Sequence, residues 1–209
     1  MPNHVFNLLQ IESDNKEALD DLVTLLGKQY KTTYTVYSKD EFTGVSIKEL
    51  QEATKGGKFS FHNIVPAPLG EGYDEALDDT GGASQGWYEW NRDNWDTKWD
   101  AYDVTTQRLT DLIVSYDFTT AWSPPMVVIE TLAKQYPDMK ITFTFTEENG
   151  WGAEMQSEAG SGELVEIAKW DEPNSHSDYV ARHKEYQCVC SWGEGDDLYA
   201  DCPREEVNA

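Results

Sequence analysis

Closely spaced carboxylates are the feature of this sequence with the clearest chemical consequence. Glu89, Asp93, Asp96 and Asp100 recur at three- or four-residue steps inside the run from Trp87 to Asp103. On a helix turning about 100° per residue, the four acids cluster within roughly 60° of one another. Like charges at that spacing repel by roughly a few tenths of a kcal/mol per pair. A cationic surface outside the helix would offset that cost, so the pattern points to recognition of a basic partner; the plainer reading is a solvated helix edge. Asp103 ends the same run, and Glu194, Asp196, Asp197 and Asp201 form a second acidic group.

Other chemistry is harder to assemble. Cys188, Cys190 and Cys202, with His176 and His183, include zinc-ligand types. A Cys-x-Cys pair with one distant cysteine nevertheless lacks the paired Cys-x2-Cys knuckles of a zinc site, so free thiols are expected and no metal. Glu147-Glu148 and Asp196-Asp197 supply hard oxygens without the alternating ligands and central glycine of a calcium loop. His4 and His62 fall on expected strands, where a structural role is the default. There is no Gly-rich phosphate loop, nucleophile elbow or His-Glu-x-x-His helix. A hydrolase can draw two acids from anywhere in a chain, but nothing singles out a pair here. The expectation is a protein that is not an enzyme and needs no cofactor.

Composition agrees with binding. The 209 residues carry 16 Lys and Arg against 39 Asp and Glu, a net charge of −23. The excess is concentrated: residues 71–103 hold ten acids and two bases, and residues 147–209 hold sixteen and four. Direct contact with DNA or RNA is disfavoured, because phosphates are held by Lys and Arg. No apolar run approaches the roughly 20 residues that span a bilayer. The start Met1-Pro2-Asn3-His4 has no basic region leading into an apolar one, so a cytoplasmic protein is expected. Eight Trp, eleven Tyr and seven Phe can build a core in spite of the charge.

The elements that would position these groups follow from periodicity. A strand is expected over 2–12, then a helix over 14–28 with Asp14 and Glu17 as a capping box. Residues 31–38 read as a Thr/Tyr/Val strand, 47–54 as a short polar helix and 59–65 as a strand ending at Pro66. A strand over 112–120 leads to a helix over 124–136, with Ser123 as N-cap and Pro124 in the first turn. Strands are expected over 139–147, 152–157 and 163–170. The strongest elements run strand, helix, strand, strand, helix, strand. That is an α+β, ferredoxin-like split βαβ pattern, with 2–12, 59–65, 112–120 and 139–147 in one antiparallel sheet and both helices on one face. The domain would cover 1–170, with an aromatic-rich helical insertion at about 66–110, and 171–209 would be an acidic extension. In the insertion, Tyr88, Trp95, Trp99 and Tyr102 would share one helix face beside the acidic edge.

Four blocks in this order resemble the YubB-like family of phage and plasmid proteins, the Api-like proteins with a ferredoxin-like domain. They are Pro2-Asn3-His4-Val5, Phe59-Ser60-Phe61-His62-Asn63-Ile64-Val65-Pro66, the stretch from Asn94 to Tyr102, and Thr120-Ala121-Trp122-Ser123-Pro124-Pro125. The resemblance covers about residues 2–146. It implies a fold and a mobile-element origin, with no assigned activity and no catalytic residue. It also implies glycine at position 96, where this chain has Asp96.

Taken together, these readings lead to an acidic inhibitor of a host defence nucleoprotein, acting in the host cytoplasm against a CRISPR complex or a restriction enzyme. Its carboxylates would stand in for nucleic-acid phosphates in a channel lined with Lys and Arg. The alternative is a binding module for a small molecule or host protein, with the aromatic segment as its pocket.

Overall fold

The computed structural model describes residues 3–39, 46–69, 75–77 and 86–171. In chain order its elements are β1 (His4–Glu12), α1 (Lys16–Leu26), β2 (Gln29–Lys39), β3 (Ser46–Gly56), a 3-10 turn (Phe61–Asn63) and β4 (Glu75–Leu77). There follow α2 (Gly86–Trp95), β5 (Tyr102–Thr110), β6 (Ile113–Ala121), α3 (Met126–Gln135), β7 (Lys140–Glu147), β8 (Gly152–Ser157) and β9 (Val165–Trp170).

β1 alternates, and its alternation sets the layers. Val5, Asn7, Leu9 and Ile11 are buried while Phe6 and Leu8 are exposed, so one face of the strand is covered and the other is not. The covered face meets Leu19, Leu22 and Leu26 of α1 and Val128, Ile129 and Leu132 of α3 in one core. Both helices therefore lie on one side of the sheet, as the apolar periodicity predicts. β1 sits between β6 and β7 in an antiparallel sheet ordered β5-β6-β1-β7-β8-β9. This is a mixed α and β fold with ferredoxin-like connectivity.

The second ferredoxin strand is not where the sequence placed it. Residues 59–65 form no strand: Phe59, Ser60, Phe61 and Ile64 are all buried, and Ser60 caps the 3-10 turn by accepting from the His62 amide. Phe59 and Phe61 lie against Tyr116 and Phe118 on the helix side of the sheet, and the Asn63 side-chain amide donates to the Leu26 and Lys28 carbonyls at the end of α1. The sheet position is taken by β5, an edge strand exposed along most of its length and so without apolar alternation.

Residues 47–54 also differ, forming most of β3 instead of a helix. Their partner is β2, whose Thr-, Tyr- and Val-rich sequence pairs with β3 from Gln29 opposite Gly56 to Lys39 opposite Ser46. Pairing with a strong strand former overrides weak local helix preference. β4 adds a short parallel strand on the other edge of β2. The interruption of the ferredoxin pattern thus lies between α1 and β5. Helix starts shift slightly: Asn15, not Asp14, caps α1 through the Ala18 amide, and Pro125 precedes α3 where Ser123 was expected to cap it.

Gly152 lets β8 lie close to both β7 and the Trp170 ring of β9. A Cβ there would collide with the Phe145 carbonyl oxygen and lie 2.8 Å from the Trp170 ring. Gly152→Ala is expected to cost on the order of 1–3 kcal/mol through backbone displacement, read as a lower urea midpoint with unchanged m value.

Candidate binding site

The expected 17-residue helix breaks after Trp95, and the break redirects every acid beyond it. Asp96 enters the left-handed region with φ 61°. Its carboxylate accepts from the Val127 amide at 2.9 Å, capping α3 where Pro125 offers no side-chain bond. Ser123 Oγ donates to the Asp96 carbonyl, and Thr97 Oγ1 donates to the Ala121 carbonyl at 2.8 Å. Residues 96 and 97 therefore staple the end of α2 to the junction of β6 and α3. Burial raises the Asp96 carboxyl above its ordinary value, against the lowering by the Val127 amide, and the Glu130 charge adds to the rise.

A glycine at 96 would adopt this backbone without strain, which explains the residue the family resemblance implies. Aspartate tolerates the conformation and adds a cap. Asp96→Gly is expected to stay within about 1 kcal/mol of wild type, because relieved strain offsets the lost cap. Asp96→Ala loses the cap and keeps the strain, so thermal melts should place it below both.

Asp100 is also internal. Its carboxylate accepts from the Phe61 amide at 2.7 Å, the Ala101 amide at 2.8 Å, Tyr30 Oη at 3.2 Å and Ser60 Oγ. Asp96 and Asp100 thus belong to the architecture, and the four-acid helical edge does not form. The helix ends because these carboxylates satisfy backbone and hydroxyl donors elsewhere in the fold. Glu89 and Asp93 are exposed on α2, and Asp103 is exposed at the start of β5 with φ 53°. Glu194, Asp196, Asp197 and Asp201 lie outside the described residues, as do the cysteines, His176 and His183.

The single aromatic face divides as well. Trp95 turns inward, edge-on to Phe61 with its indole N–H donating to the Val65 carbonyl at 2.9 Å. Tyr88 turns outward, edge-on to Trp122 at 5.8 Å. Trp122 is 41% exposed and has φ 76°, a conformation a bulky residue rarely holds. Lys98 Nζ lies 4.7 Å from the Trp99 ring centre and 4.8 Å from that of Trp122, and Arg92 lies 5.5 Å from the Tyr88 ring centre. Each ring face attracts the cation electrostatically. The sequence reading missed Trp122 and Lys98 as members of one cluster, since only the turn after β6 brings Trp122 back to α2.

Tyr102 joins this cluster to the sheet. Its ring lies 6.4 Å from Trp99, and its hydroxyl shares a 2.6 Å hydrogen bond with His4 Nδ1. Burial pushes the Tyr102 phenol up to about 12, aided by the charges of Asp103 and Glu148, so it stays protonated at neutral pH. Beside Tyr102 is an open cleft of about 490 Å³ lined by Lys55, Lys58, Trp99, Tyr102, Asp103 and Val104. Lys58 Nζ donates to the Val104 carbonyl at 2.8 Å across it.

The remaining sequence candidates are structural. His62 Nδ1 accepts from the Ala67 amide and its ring stacks on Tyr30 at 4.1 Å, with burial lowering its basicity. Glu147 is buried and accepts from the Asn3 side-chain amide and the Asn149 backbone amide. Among the described residues no three His, Cys, Asp or Glu side chains gather as metal ligands, and no helix is long and apolar enough to cross a membrane. The arrangement of rings, cations and exposed acids is suited to holding a partner.

A family model described as the ferredoxin-like domain in Api92-like protein matches residues 94–188. The crystal structure of a protein api92 from Yersinia pseudotuberculosis is similar in fold, with a TM-score of 0.54 at 11% identity. The alignment covers 82% of this chain and 100% of that one. No curated protein matches the sequence.

Proposed function

Because residues 94–188 match the ferredoxin-like domain in Api92-like protein, we propose that this chain is a mobile-element inhibitor of a host defence nucleoprotein. In this reading it is an anti-CRISPR or anti-restriction protein whose carboxylates occupy a basic channel in place of nucleic acid. The observation that carries the reading is the charge: −23 over 209 residues, with Glu89, Asp93 and Asp103 exposed along the Trp-rich segment. A channel lined with Lys and Arg draws such a surface in rapidly, and its occupation excludes DNA or RNA. The test is competition. Purified chain should displace labelled nucleic acid from a host CRISPR or restriction complex, with less displacement as salt rises. Tight binding that leaves the nucleic acid in place would refute mimicry.

A second reading, a small-molecule binding module, draws on the cleft beside Tyr102. Lys55 and Lys58 bring two positive charges, beside the carboxylates of Asp100 and Asp103, to a site walled by Trp99 and Tyr102. That combination suits a planar anion. Saturable binding of an aromatic sulfonate dye to wild type, lost in Lys58→Glu, would favour it; equal binding by both would count against it.

A further inference from the structure

We infer that the face of the six-stranded sheet opposite α1 and α3 is a docking surface for a basic polypeptide, an inference that rests on the proposed recognition of a basic partner. Strand register places three rows of side chains across this face. One runs Tyr102, Thr119, Phe6, Thr146, Gly152, Trp170 from β5 to β9. The next runs Thr105, Asp117, Leu8, Thr144, Glu154, Ala168, and the third Gln107, Ser115, Gln10, Thr142, Gln156, Val165.

Two properties of these rows define the occupant. First, apolar side chains stand exposed: Leu8 is 46% accessible and Phe6 39%, both on the central strand, and Val165 is 56% accessible on the edge. A central strand with exposed Leu and Phe on one side and a fully buried core on the other marks an interaction surface more than a strand end. Second, the three rows contain no Lys or Arg, whereas Asp117 and Glu154 stand on either side of Leu8 in its own row. With strands about 4.8 Å apart, those two carboxylates are roughly 14 Å from each other across the apolar centre.

The complement of this surface is an apolar strip bordered by Lys or Arg. Nucleic acid does not fit, because the rows offer its phosphates no cation. A second copy does not fit, because a two-fold contact about Leu8 would bring the carboxylates of Asp117 and Glu154 against those of the second copy in a chain of net charge −23. Residues 172–209 carry nine acids and three bases, so their charge is also of the wrong sign.

The probe is a synthetic peptide of alternating arginine and leucine, with an alternating glutamate and leucine peptide as control, titrated against full-length chain by fluorescence anisotropy in low salt. Wild type is expected to bind the basic peptide and ignore the acidic one. Leu8→Thr and the pair Asp117→Lys with Glu154→Lys should each weaken binding at least tenfold and by more than Glu89→Lys with Asp93→Lys, while Glu17→Lys with Asp21→Lys, exposed on α1, changes it less than twofold. If the α2 pair abolishes binding and the sheet variants do not, this docking surface is overturned while recognition of a basic partner stands. If wild type binds no basic peptide at all, both fail. Sedimentation showing a dimer that Leu8→Thr dissolves would assign the face to a second copy. A large drop in urea midpoint for Leu8→Thr would assign it to the chain's own segments. Either result overturns the inference.

Discussion

Asp100→Ala should destabilise this protein by on the order of 3–5 kcal/mol, the largest loss expected from any of its surface-type acids. The carboxylate takes four donors: the amides of Phe61 and Ala101, Tyr30 Oη and Ser60 Oγ. Ser60 is fully buried and Phe61 is part of the core, so no water replaces the lost acceptor cheaply. Glu89→Ala and Asp93→Ala, exposed on α2, should move stability by less than about 0.5 kcal/mol. Urea unfolding of the three variants separates the two classes, and similar midpoints for all three would show that Asp100 is not structural.

The same residue gives a pH signature. Burial raises the Asp100 carboxyl above its ordinary 3.8, outweighing the lowering by its four hydrogen bonds. The folded chain therefore binds this proton more tightly than the unfolded chain. Its contribution favours the fold fully below the unfolded value and is lost as pH rises through the raised folded value. Asp100→Asn keeps the shape of the neutral side chain and removes the titration. Relative to wild type, the variant should gain stability as pH climbs above about 4. A constant difference across that range would mean that the group titrates alike in both states.

Periodicity read well where one face of an element is buried and the other is wet. β1 and β7 alternate residue by residue, and α1 and α3 carry apolar stripes, so their existence and common core were legible. β5 was not legible, because an edge strand exposed on nearly all its positions has no burial pattern to report. The segment 59–65 misled for the opposite reason. Phe59 and Phe61 alternate with Ser60, as a strand would, but Ser60 is buried as well, to meet Asp100 from 40 residues away. A long-range polar contact leaves no local signal.

The candidate site shows the same division. The spacing of Glu89, Asp93, Asp96 and Asp100 fits a helix, yet a helix needs every residue in helical conformation, and Asp96 at φ 61° ends it. The hint was present in the glycine that the family resemblance implies at that position, since glycine is favoured where the backbone turns left-handed. Trp122 and Lys98 could not be paired from sequence, because their contact depends on how the turn after β6 meets the end of α2.

If carboxylates stand in for phosphates, long-range attraction should set the rate at which the chain finds its partner. The acids to test are Glu89, Asp93 and Asp103, which the structure leaves at the surface, and, as a separate set chosen from the sequence, Glu194, Asp196, Asp197 and Asp201. Reversing the first three to lysine leaves the Asp96 and Asp100 partners in place, and neutralising the last four tests the second acidic group separately. Each set should slow association with a host defence complex by roughly 10-fold or more at low salt, and change dissociation far less. Raising salt from about 0.05 to about 0.5 M shrinks the Debye length from about 14 Å to about 4 Å. Wild-type association should then fall steeply while that of the variants falls little, so the curves converge at high salt. Surface-plasmon kinetics across that range provides the measurement. Parallel salt dependences for wild type and variants would show that these charges only solvate the protein, and the aromatic cluster around Trp122 would become the surface to mutate next.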